Sequence, residues 1–274
     1  MAERAVLTTG ANSGIGLASA VELARRGFRS IGSVRSEAKA EVVHAAAREA
    51  GVEVETVLLD VTDAGRCEEV LADLRLYALV NNAGYPVMGA VEDVGDEEAR
   101  RALETMVVAP MRLARLALPA MRARGEGRIV NLSSIAGLVT PPFSGWYTAV
   151  KHALEALSDA LRVEVARDGV RVVLIEPGGV QTALWEESER DLARMEAEGS
   201  RNAPAYGRFL RMQRLIEPIL GDPGHCARVI ADAVAGRAPR DRYLVGVDAR
   251  LVELTNHLTP TLLRDRFYRL VLGI

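Results

Sequence analysis

The sequence has little cysteine, few aromatic residues and almost no net charge, and these shortages exclude several classes of protein. Two of the 274 residues are cysteine, aromatic residues make up 4%, and the net charge is −3. So few cysteines, without metal-ligand spacing, are typical of a reducing compartment rather than of a disulfide framework. The charge provides no general attraction to nucleic acid or anionic lipid, and no apolar run approaches the roughly 18 residues that span a bilayer. We therefore predict a cytoplasmic protein with no nucleic-acid partner, no membrane span, no signal peptide and no metal site.

Short apolar runs alternate with longer amphipathic stretches as far as about residue 180. This alternation is typical of βαβ units, which build a parallel sheet covered by helices. No Gly/Ser/Pro-rich linker interrupts it, so residues 1–274 are predicted to form a single α/β domain with a doubly wound sheet of about seven strands and helices on both faces. The predicted strands are residues 5–9, 30–34, 54–59, 78–81, 128–132, 170–175 and 243–245.

Two segments interrupt the alternation. Residues 184–219 are long and charged and follow the sixth predicted strand, which suggests a helical lid over a substrate. Residues 259–274 mix leucines and aromatic residues with arginines. This tail could lie on a membrane or a partner. Packing on its own domain or across a subunit interface is the simpler interpretation.

A glycine-rich turn, residues 10–16 (GANSGIG), follows the first predicted strand and opens a helix. Gly10 can form the sharp turn, Gly14 lets the backbone approach a phosphate, and Gly16 permits close helix packing. The helix N-terminus offers free N–H groups and the positive end of the helix dipole. The turn therefore predicts a pyrophosphate site, although a purely structural tight connection can have the same pattern.

Tyr147 and Lys151 lie four residues apart in a predicted helix, so their side chains share a face. A phenol with a pKa near 10 is a poor acid at neutral pH, but a nearby ammonium group lowers that pKa by stabilising the phenolate. The pair can then exchange a proton with a substrate oxygen. Only two of the 34 basic residues are lysine, Lys39 and Lys151. A lysine four residues after Tyr147 is therefore not expected by chance in a chain that uses arginine at nearly every other basic position. Arginine cannot provide the same compact charge.

Five motifs follow one another in a fixed order over roughly residues 4–182. They are Thr9-Gly10-x-x-x-Gly14-Ile15-Gly16, Asn81-Asn82-Ala83-Gly84, Ser134 thirteen residues before Tyr147, Tyr147-x-x-x-Lys151, and Pro177-Gly178-x-Val180-x-Thr182. In order and spacing they resemble the motifs of the short-chain dehydrogenase/reductase family, and the chain is loosely similar to its hydroxysteroid and retinol dehydrogenase branch. The resemblance implies a Rossmann-like fold and a homodimer or homotetramer assembled through helices around residues 97–124 and 145–167.

The resemblance implies three catalytic residues. Tyr147 is the general acid in carbonyl reduction, Lys151 lowers the pKa of Tyr147 and holds the nicotinamide ribose, and Ser134 orients the carbonyl. The implied cofactor-binding residues are Gly10, Asn12, Ser13, Gly14, Ile15, Gly16, Arg35, Ser36, Asp60, Val61, Asn82, Ala83, Gly84, Tyr147, Lys151, Pro177, Gly178, Val180 and Thr182.

Several of these residues also have ordinary structural interpretations. Asp60 and Val61 would flank the adenine, and residues 82–84 would line the adenosine side. Taken alone, Asp60 is more typical of a helix N-terminal cap. Residues 177–182 would surround the nicotinamide carboxamide, although Pro-Gly after a strand is equally common turn chemistry.

The end of the second predicted strand indicates which cofactor is used. NAD sites usually carry an acidic residue there, whereas an arginine accommodates the 2′-phosphate of NADP. Here the strand leads into Arg35 and Ser36, with no carboxylate. Arg35 can bind a phosphate through two hydrogen bonds, and Ser36, Asn12 or Ser13 can add others. We therefore expect NADP(H), the alternative being that Arg35 is simply a solvated surface residue.

Met106 departs from the family pattern. Alignment on Pro110 places Met106 where the family often has an asparagine that holds a water linked to the lysine. A thioether offers no comparable hydrogen bonding, and Thr105 lies about 100° away around an α-helix, so it is not a simple substitute. We expect this change to affect turnover more than cofactor binding.

The resulting hypothesis is an NADP(H)-dependent enzyme that interconverts a ketone and a secondary alcohol. Apolar residues near the expected pocket suggest a lipophilic substrate. Two alternatives stay open: a catalytically weak NADP(H)-binding sensor or scaffold, and a family member that catalyses epimerisation or dehydration. The pocket residues meant here are Val87, Met88, Leu138, Val139, Phe143 and Trp146.

Overall fold

A computed structural model describes residues 4–216 and 220–274 of the chain. Its centre is a seven-stranded sheet in the order β3-β2-β1-β4-β5-β6-β7, and every neighbouring pair is parallel. The order reverses beside β1, which leads to β2 on one side and pairs with β4 on the other. Ligands of open α/β sheets bind outside the carboxyl ends of the strands at such a reversal.

All seven predicted strands are present. The fourth has the predicted ends, and the ends of the other six differ by at most two residues. The sixth strand runs two residues further than predicted, so Pro177 closes a strand rather than beginning a loop. The strands are β1 (Ala5–Thr8), β2 (Arg29–Val34), β3 (Glu55–Leu58), β4 (Ala78–Asn81), β5 (Gly127–Leu132), β6 (Val170–Pro177) and β7 (Arg242–Val245).

Helices connect the strands. The α-helices are α1 (Gly14–Arg25), α2 (Glu37–Glu49), α3 (Ala64–Asp73), α4 (Asp96–Leu103), α5 (Ala109–Arg124), α6 (Gly145–Glu164), α7 (Leu184–Ala197), α8 (Ala203–Ile216), α9 (Pro223–Ala235), α10 (Val247–Leu258) and α11 (Thr261–Leu272). A π-helical turn, Glu104–Val108, lies between α4 and α5, and 3-10 turns cover Ile135–Gly137 and Ala166–Asp168.

The sheet is buried on both faces, which explains why its strands are continuously apolar. Alternate residues of β1 divide between the two faces. Leu7 packs with α3 and α5, whereas Val6 packs with α1 and α9. The fold is therefore the doubly wound α/β sheet that the alternation predicts.

The segment predicted as a lid, residues 184–219, forms helices α7 and α8, while residues 217–219 lie outside the described part. Leu192 and Phe209 from these helices are buried in a third apolar cluster with Val87 and Phe143. The tail forms α11, which the sequence pattern left open. Of the described helices, none is long and apolar enough to span a membrane.

Candidate active site

The residues predicted from separate motifs meet at the carboxyl edge of the sheet. The glycine turn follows β1, Arg35 follows β2, Asn82 follows β4, and Ser134 follows β5. Tyr147 and Lys151 lie in the first two turns of α6, next to the end of β5. Parallel strands place their carboxyl ends at one edge, so residues far apart in sequence form one cleft.

The glycine turn needs its glycines for two different reasons. Gly10 and Gly14 have φ values of +66° and +50°, a region that favours glycine. Gly16 has ordinary helical geometry, but a Cβ atom there would lie 2.4 Å from the carbonyl oxygen of Gly10 and from Nδ2 of Asn82. The turn is thus packed closely against the end of β4.

Asn82 fastens the glycine turn to the loop after β4. Its Nδ2 donates to the carbonyl of Thr9 at 2.8 Å and, more weakly, to that of Gly10 at 3.3 Å. The Thr9 hydroxyl in turn accepts from the backbone N–H groups of Asn82 and Ala83 at 2.9 and 3.0 Å. The Asn82 side chain therefore shapes the cofactor cleft, and its amide is already occupied by backbone groups.

Arg35 is exposed directly after β2, and no ion pair of its side chain is found among the described residues. Its positive charge reaches Asp60 beyond β3. Burial raises the pKa of Asp60, but hydrogen bonds from Thr62 and the charges of Arg35 and Arg101 outweigh it, so the pKa is lower than usual. The cleft thus has an exposed positive charge beside the end of β2.

Asp60 is not the helix cap that its position alone suggests. Its Oδ1 accepts from the backbone N–H and the hydroxyl of Thr62, at 3.0 and 2.7 Å, in a local turn. Asp63 caps α3 instead, accepting from the N–H of Arg66 at 2.9 Å. Of the two acidic residues before α3, the one directly before its first residue, Asp63, forms the cap.

Ser134, Tyr147 and Lys151, the three catalytic candidates, lie close together in the fold. The Lys151 ammonium lies 5.5 Å from the centre of the Tyr147 ring and donates to the carbonyl of Leu132 at 2.8 Å. The Ser134 hydroxyl accepts from the N–H of Ala136 at 3.1 Å. The end of β5 therefore positions both the lysine and the serine.

Burial shifts both candidate acid-base groups towards their neutral forms. It raises the pKa of Tyr147 to about 12, and a hydrogen bond with Ser134 opposes this only in part. It lowers the pKa of Lys151 to about 8, with the charge of Glu155 acting in the opposite direction. The pKa of Tyr147 is therefore raised, not lowered as the tyrosine–lysine spacing suggests, because desolvation of the phenolate dominates here. At neutral pH the Tyr147 hydroxyl is therefore protonated.

A partly buried ionic cluster behind Lys151 was not predicted from the sequence. Arg242 donates to Glu155, Asp159 and Glu176 at 3.1, 2.7 and 3.1 Å. Glu155 and Glu176 are buried, on α6 and β6 respectively. No local sequence motif predicts the cluster, because its members lie on three elements, α6, β6 and β7, that meet only in the folded chain.

The loop after β6 approaches the glycine turn. A Cβ atom at Gly14 would lie 3.1 Å from Cγ2 of Thr182, which places the two motifs side by side. The N–H of Gly179 donates to Oδ2 of Asp248 on α10 at 2.6 Å. A Cβ at Gly178 would overlap the same carboxylate. Asp248 thus holds the predicted nicotinamide loop, although it belongs to none of the sequence motifs.

Met106 is buried in the π-helical turn and has no polar role. A Cβ atom at Gly84 would lie 3.0 Å from its sulfur, so the thioether packs against the loop after β4. The neighbouring Thr105 hydroxyl donates to the carbonyl of Arg101 at 2.8 Å. Neither side chain therefore provides the amide that the family usually has here.

Apolar and aromatic side chains wall the site on the side of α7 and α8. Phe143 packs edge-on against Tyr206 and Phe209, with ring centres 4.9 and 5.9 Å apart. The backbone N–H of Ala90 donates to the Tyr206 hydroxyl at 2.8 Å, and that hydroxyl donates to Asp93. These contacts fasten α8 to the loop after β4, so the wall is pre-formed.

Comparison with known proteins agrees with this geometry. The short chain dehydrogenase family profile matches residues 4–193, and the chain belongs to that family. It is 34% identical to an uncharacterized oxidoreductase, YusZ, of Bacillus subtilis over 95% of both chains. It is 32% identical to human retinol dehydrogenase 5 over 95% of this chain and 86% of the relative. A solved actinorhodin polyketide ketoreductase with NADPH is 28% identical, with a TM-score of 0.77 over 91% of this chain and 97% of that chain.

Proposed function

We propose that this oxidoreductase uses NADP(H) to interconvert a ketone and a secondary alcohol on a lipophilic substrate. The observation that carries the proposal is the meeting of Ser134, Tyr147 and Lys151 beside an apolar wall at the carboxyl edge of the sheet. The NADPH of the similar ketoreductase and the name of the similar retinol dehydrogenase support the cofactor and the substrate class.

The cleft fits a phosphorylated dinucleotide. Gly14, with positive φ at the free N-terminus of α1, leaves room for a pyrophosphate, and the Ser13 side chain makes no capping hydrogen bond to that helix. Arg35 and Ser36 would bind the 2′-phosphate. When bound, the nicotinamide supplies the hydride in reduction and accepts it in oxidation.

Each of the three catalytic candidates has a different role in the proton transfer. Tyr147 gives its hydroxyl proton to the substrate oxygen while the carbonyl carbon gains a hydride, which yields the alcohol. The Ser134 hydroxyl orients the carbonyl by a hydrogen bond. The Lys151 ammonium stabilises the phenolate that remains until solvent returns a proton. A raised pKa on Tyr147 suits this direction, since the group must begin protonated.

The proposal is tested by following NADPH oxidation over a panel of small and lipophilic ketones. Tyr147→Phe should lower kcat at least about 100-fold, because it removes the general acid. Tyr243→Phe is the matched control, since that tyrosine lies on β7 and its hydroxyl accepts from the N–H of Arg240. Equal activity of wild type and Tyr147→Phe on any reduced ketone contradicts the mechanism.

Cofactor preference is tested separately. Arg35→Ala should raise KM for NADPH by roughly 10- to 100-fold, because a charged hydrogen-bonding partner of the 2′-phosphate is lost, and should leave KM for NADH nearly unchanged. Arg48→Ala, at an exposed arginine of α2, should change neither value. Equal effects of Arg35→Ala on both cofactors would show that Arg35 does not read the phosphate.

Met106 favours one alternative, a protein that binds NADP(H) but turns it over slowly. Its buried thioether replaces a hydrogen-bonding group of the family's proton path. NADPH binding without reduction of any ketone would support this alternative. Turnover without net NADPH consumption would support epimerisation or dehydration instead.

A cytoplasmic location, a lid role for α7 and α8, and a homodimer or homotetramer stay predictions. Exposed apolar side chains around the helices expected to pair support the assembly: Val108 in the π-helical turn directly before α5, and Leu157 and Val163 on α6. Light scattering of the purified protein measures its mass directly.

A further inference from the structure

Helix α10 points an apolar stripe away from the domain. Val247, Leu251, Leu254 and Leu258 are spaced by four, three and four residues, which places them on one helix face. Their exposed fractions are 85%, 60%, 59% and 73%. A surface helix normally turns such a stripe towards the core.

Helix α11 and the C-terminal residue repeat this pattern. Leu263, Phe267, Leu270 and Ile274 have the same four-three-four spacing, and more than half of each side chain is exposed. Isolated exposed apolar residues need no explanation, but a contiguous patch marks an interaction surface. We call the two stripes together the C-terminal apolar surface.

The opposite faces of both helices are fastened to the domain. Asn256 donates to the carbonyl of Leu138 at 3.1 Å and accepts from Arg264 at 2.7 Å, which joins α10 to α11. Arg208 of α8 donates to the carbonyl of Leu272 at 2.6 Å, and Leu272 is buried. The stripes therefore lie outward because the inner faces are already used.

The charges beside the stripes have one dominant sign. Arg250, Arg266 and Arg269 are exposed and make no ion pair with any described residue. Among the described acidic side chains of α10 and α11, Asp265 is exposed, whereas Asp248 and Glu253 are half-buried. Pairing of this surface with the same surface of a second copy would bring these arginines together. Anionic lipid headgroups supply the complementary charge, although the whole chain has a net charge of −3.

We propose that the C-terminal apolar surface binds peripherally to an anionic bilayer, with the stripes at the boundary of the acyl chains and the arginines at the headgroup phosphates. The surface adjoins the candidate site, because α10 carries Asp248, which holds the loop after β6, and α11 packs on α8. A lipophilic substrate would then enter from the bilayer, a consequence that rests on the proposed function.

Vesicle flotation of the full-length protein tests the proposal without an activity assay. Wild type should float with vesicles of phosphatidylcholine mixed with phosphatidylglycerol, float less with phosphatidylcholine alone, and be released by high salt. The double variant Phe267→Asn/Leu270→Asn should reduce the bound fraction on the order of tenfold, because it removes apolar area from the lipid contact. Arg266→Gln/Arg269→Gln should abolish the preference for the anionic vesicles.

Matched controls are Val42→Asn and Arg48→Gln, which change an exposed apolar and an exposed basic residue on α2. They should float like wild type. Absence of flotation with both vesicle types overturns the proposal, as does equal binding by surface and control variants. A wild-type oligomer that Phe267→Asn/Leu270→Asn converts to monomers, without vesicle binding, would show that a second copy covers the surface.

Discussion

At the scale of single residues, Lys151 is a charge kept where water is largely excluded. Its ammonium group has one backbone acceptor, the carbonyl of Leu132, and burial lowers its pKa to about 8. Burial also raises the pKa of Tyr147 to about 12. At neutral pH the pair is therefore a neutral phenol beside an ammonium group, the state that a proton donor to a carbonyl needs.

Lys151→Met should stabilise the fold while abolishing turnover. The folded-state pKa of Lys151 lies below its ordinary 10.5, so the folded state disfavours the charged form, and this cost is complete below about pH 8. Removing the charge should raise the free energy of unfolding near pH 7 by up to ~3 kcal/mol, less the lost hydrogen bond to Leu132. Urea unfolding measures this, and the gain should shrink as the pH rises from 8 towards 10.5.

Lys39→Met is the control for that measurement, because Lys39 is the other lysine of the chain and is partly exposed on α2. It should change stability little at either pH. A gain from Lys151→Met that is independent of pH would mean that better packing, rather than removal of a buried charge, stabilises the variant.

At the scale of elements, the glycine turn and the π-helical turn contrast. The conformation of the glycine turn is determined locally, because residues 10–16 include the glycines that allow its backbone dihedral angles. The π-helical turn Glu104–Val108 was unforeseen, since its apolar residues fit an ordinary helix equally well. Such turns occur frequently at functional sites, and this one carries the departure at Met106.

Gly16→Ala should destabilise the protein by about 1–3 kcal/mol and weaken NADPH binding. The new Cβ would lie 2.4 Å from the Gly10 carbonyl oxygen, so the turn must shift. Thermal unfolding and fluorescence titration with NADPH measure the two effects. Gly65→Ala in α3 is the matched control, because its Cβ would meet only a side-chain oxygen of Asp63 at 3.6 Å.

Gly65→Ala should stabilise the protein by roughly 0.5–1 kcal/mol, the ordinary gain from replacing a helical glycine. Stabilisation by both substitutions would show that the turn has room for a side chain and that Gly16 is not required by its packing.

At the scale of the whole molecule, the ionic cluster around Arg242 joins α6, β6 and β7. Burial, with the nearby charge of Glu155, raises the pKa of Glu176 to about 7 despite the contact with Arg242. Arg242 lowers the pKa of the more exposed Asp159 chiefly by a hydrogen bond. Two of the three carboxylates in the cluster therefore act in opposite directions: ionisation of Glu176 costs the folded state free energy, whereas ionisation of Asp159 stabilises it.

Glu176→Gln should have little effect on stability near pH 4.5 and should stabilise increasingly up to about pH 7. The folded-state pKa of Glu176 lies above its ordinary 4.5, so ionisation costs the folded state free energy as the pH rises through this window. The gain should reach about 3 kcal/mol at most, and glutamine can still accept from Arg242. Urea unfolding across this pH range measures the slope.

Asp159→Asn should instead destabilise the protein at neutral pH, because a carboxylate with a lowered pKa stabilises the folded state above its ordinary pKa of 3.8. This loss of stability should be constant across the range used for Glu176→Gln and should shrink only as the pH falls below 3.8. Parallel slopes for the two variants would contradict this assignment of the two carboxylates.

The sequence by itself determined the alternation of strands and helices, the glycine-rich turn after β1 and the identity of the catalytic candidates. These depend on local period, glycine conformation and fixed spacing along one helix. Arg35 could be identified as a candidate from the sequence as well, because it directly follows β2 along the chain. The fold class follows too, since parallel strands need crossover helices and both sheet faces must be buried.

Only the tertiary structure decided the properties that depend on burial and on distant partners. The raised pKa of Tyr147, the Arg242 cluster, the hold of Asp248 on the loop after β6 and the outward stripes of α10 and α11 all arise from packing between separate elements. An amphipathic sequence pattern predicts that a helix has an apolar face. Which surface that face meets depends on where the rest of the chain lies, and desolvation depends on the same arrangement.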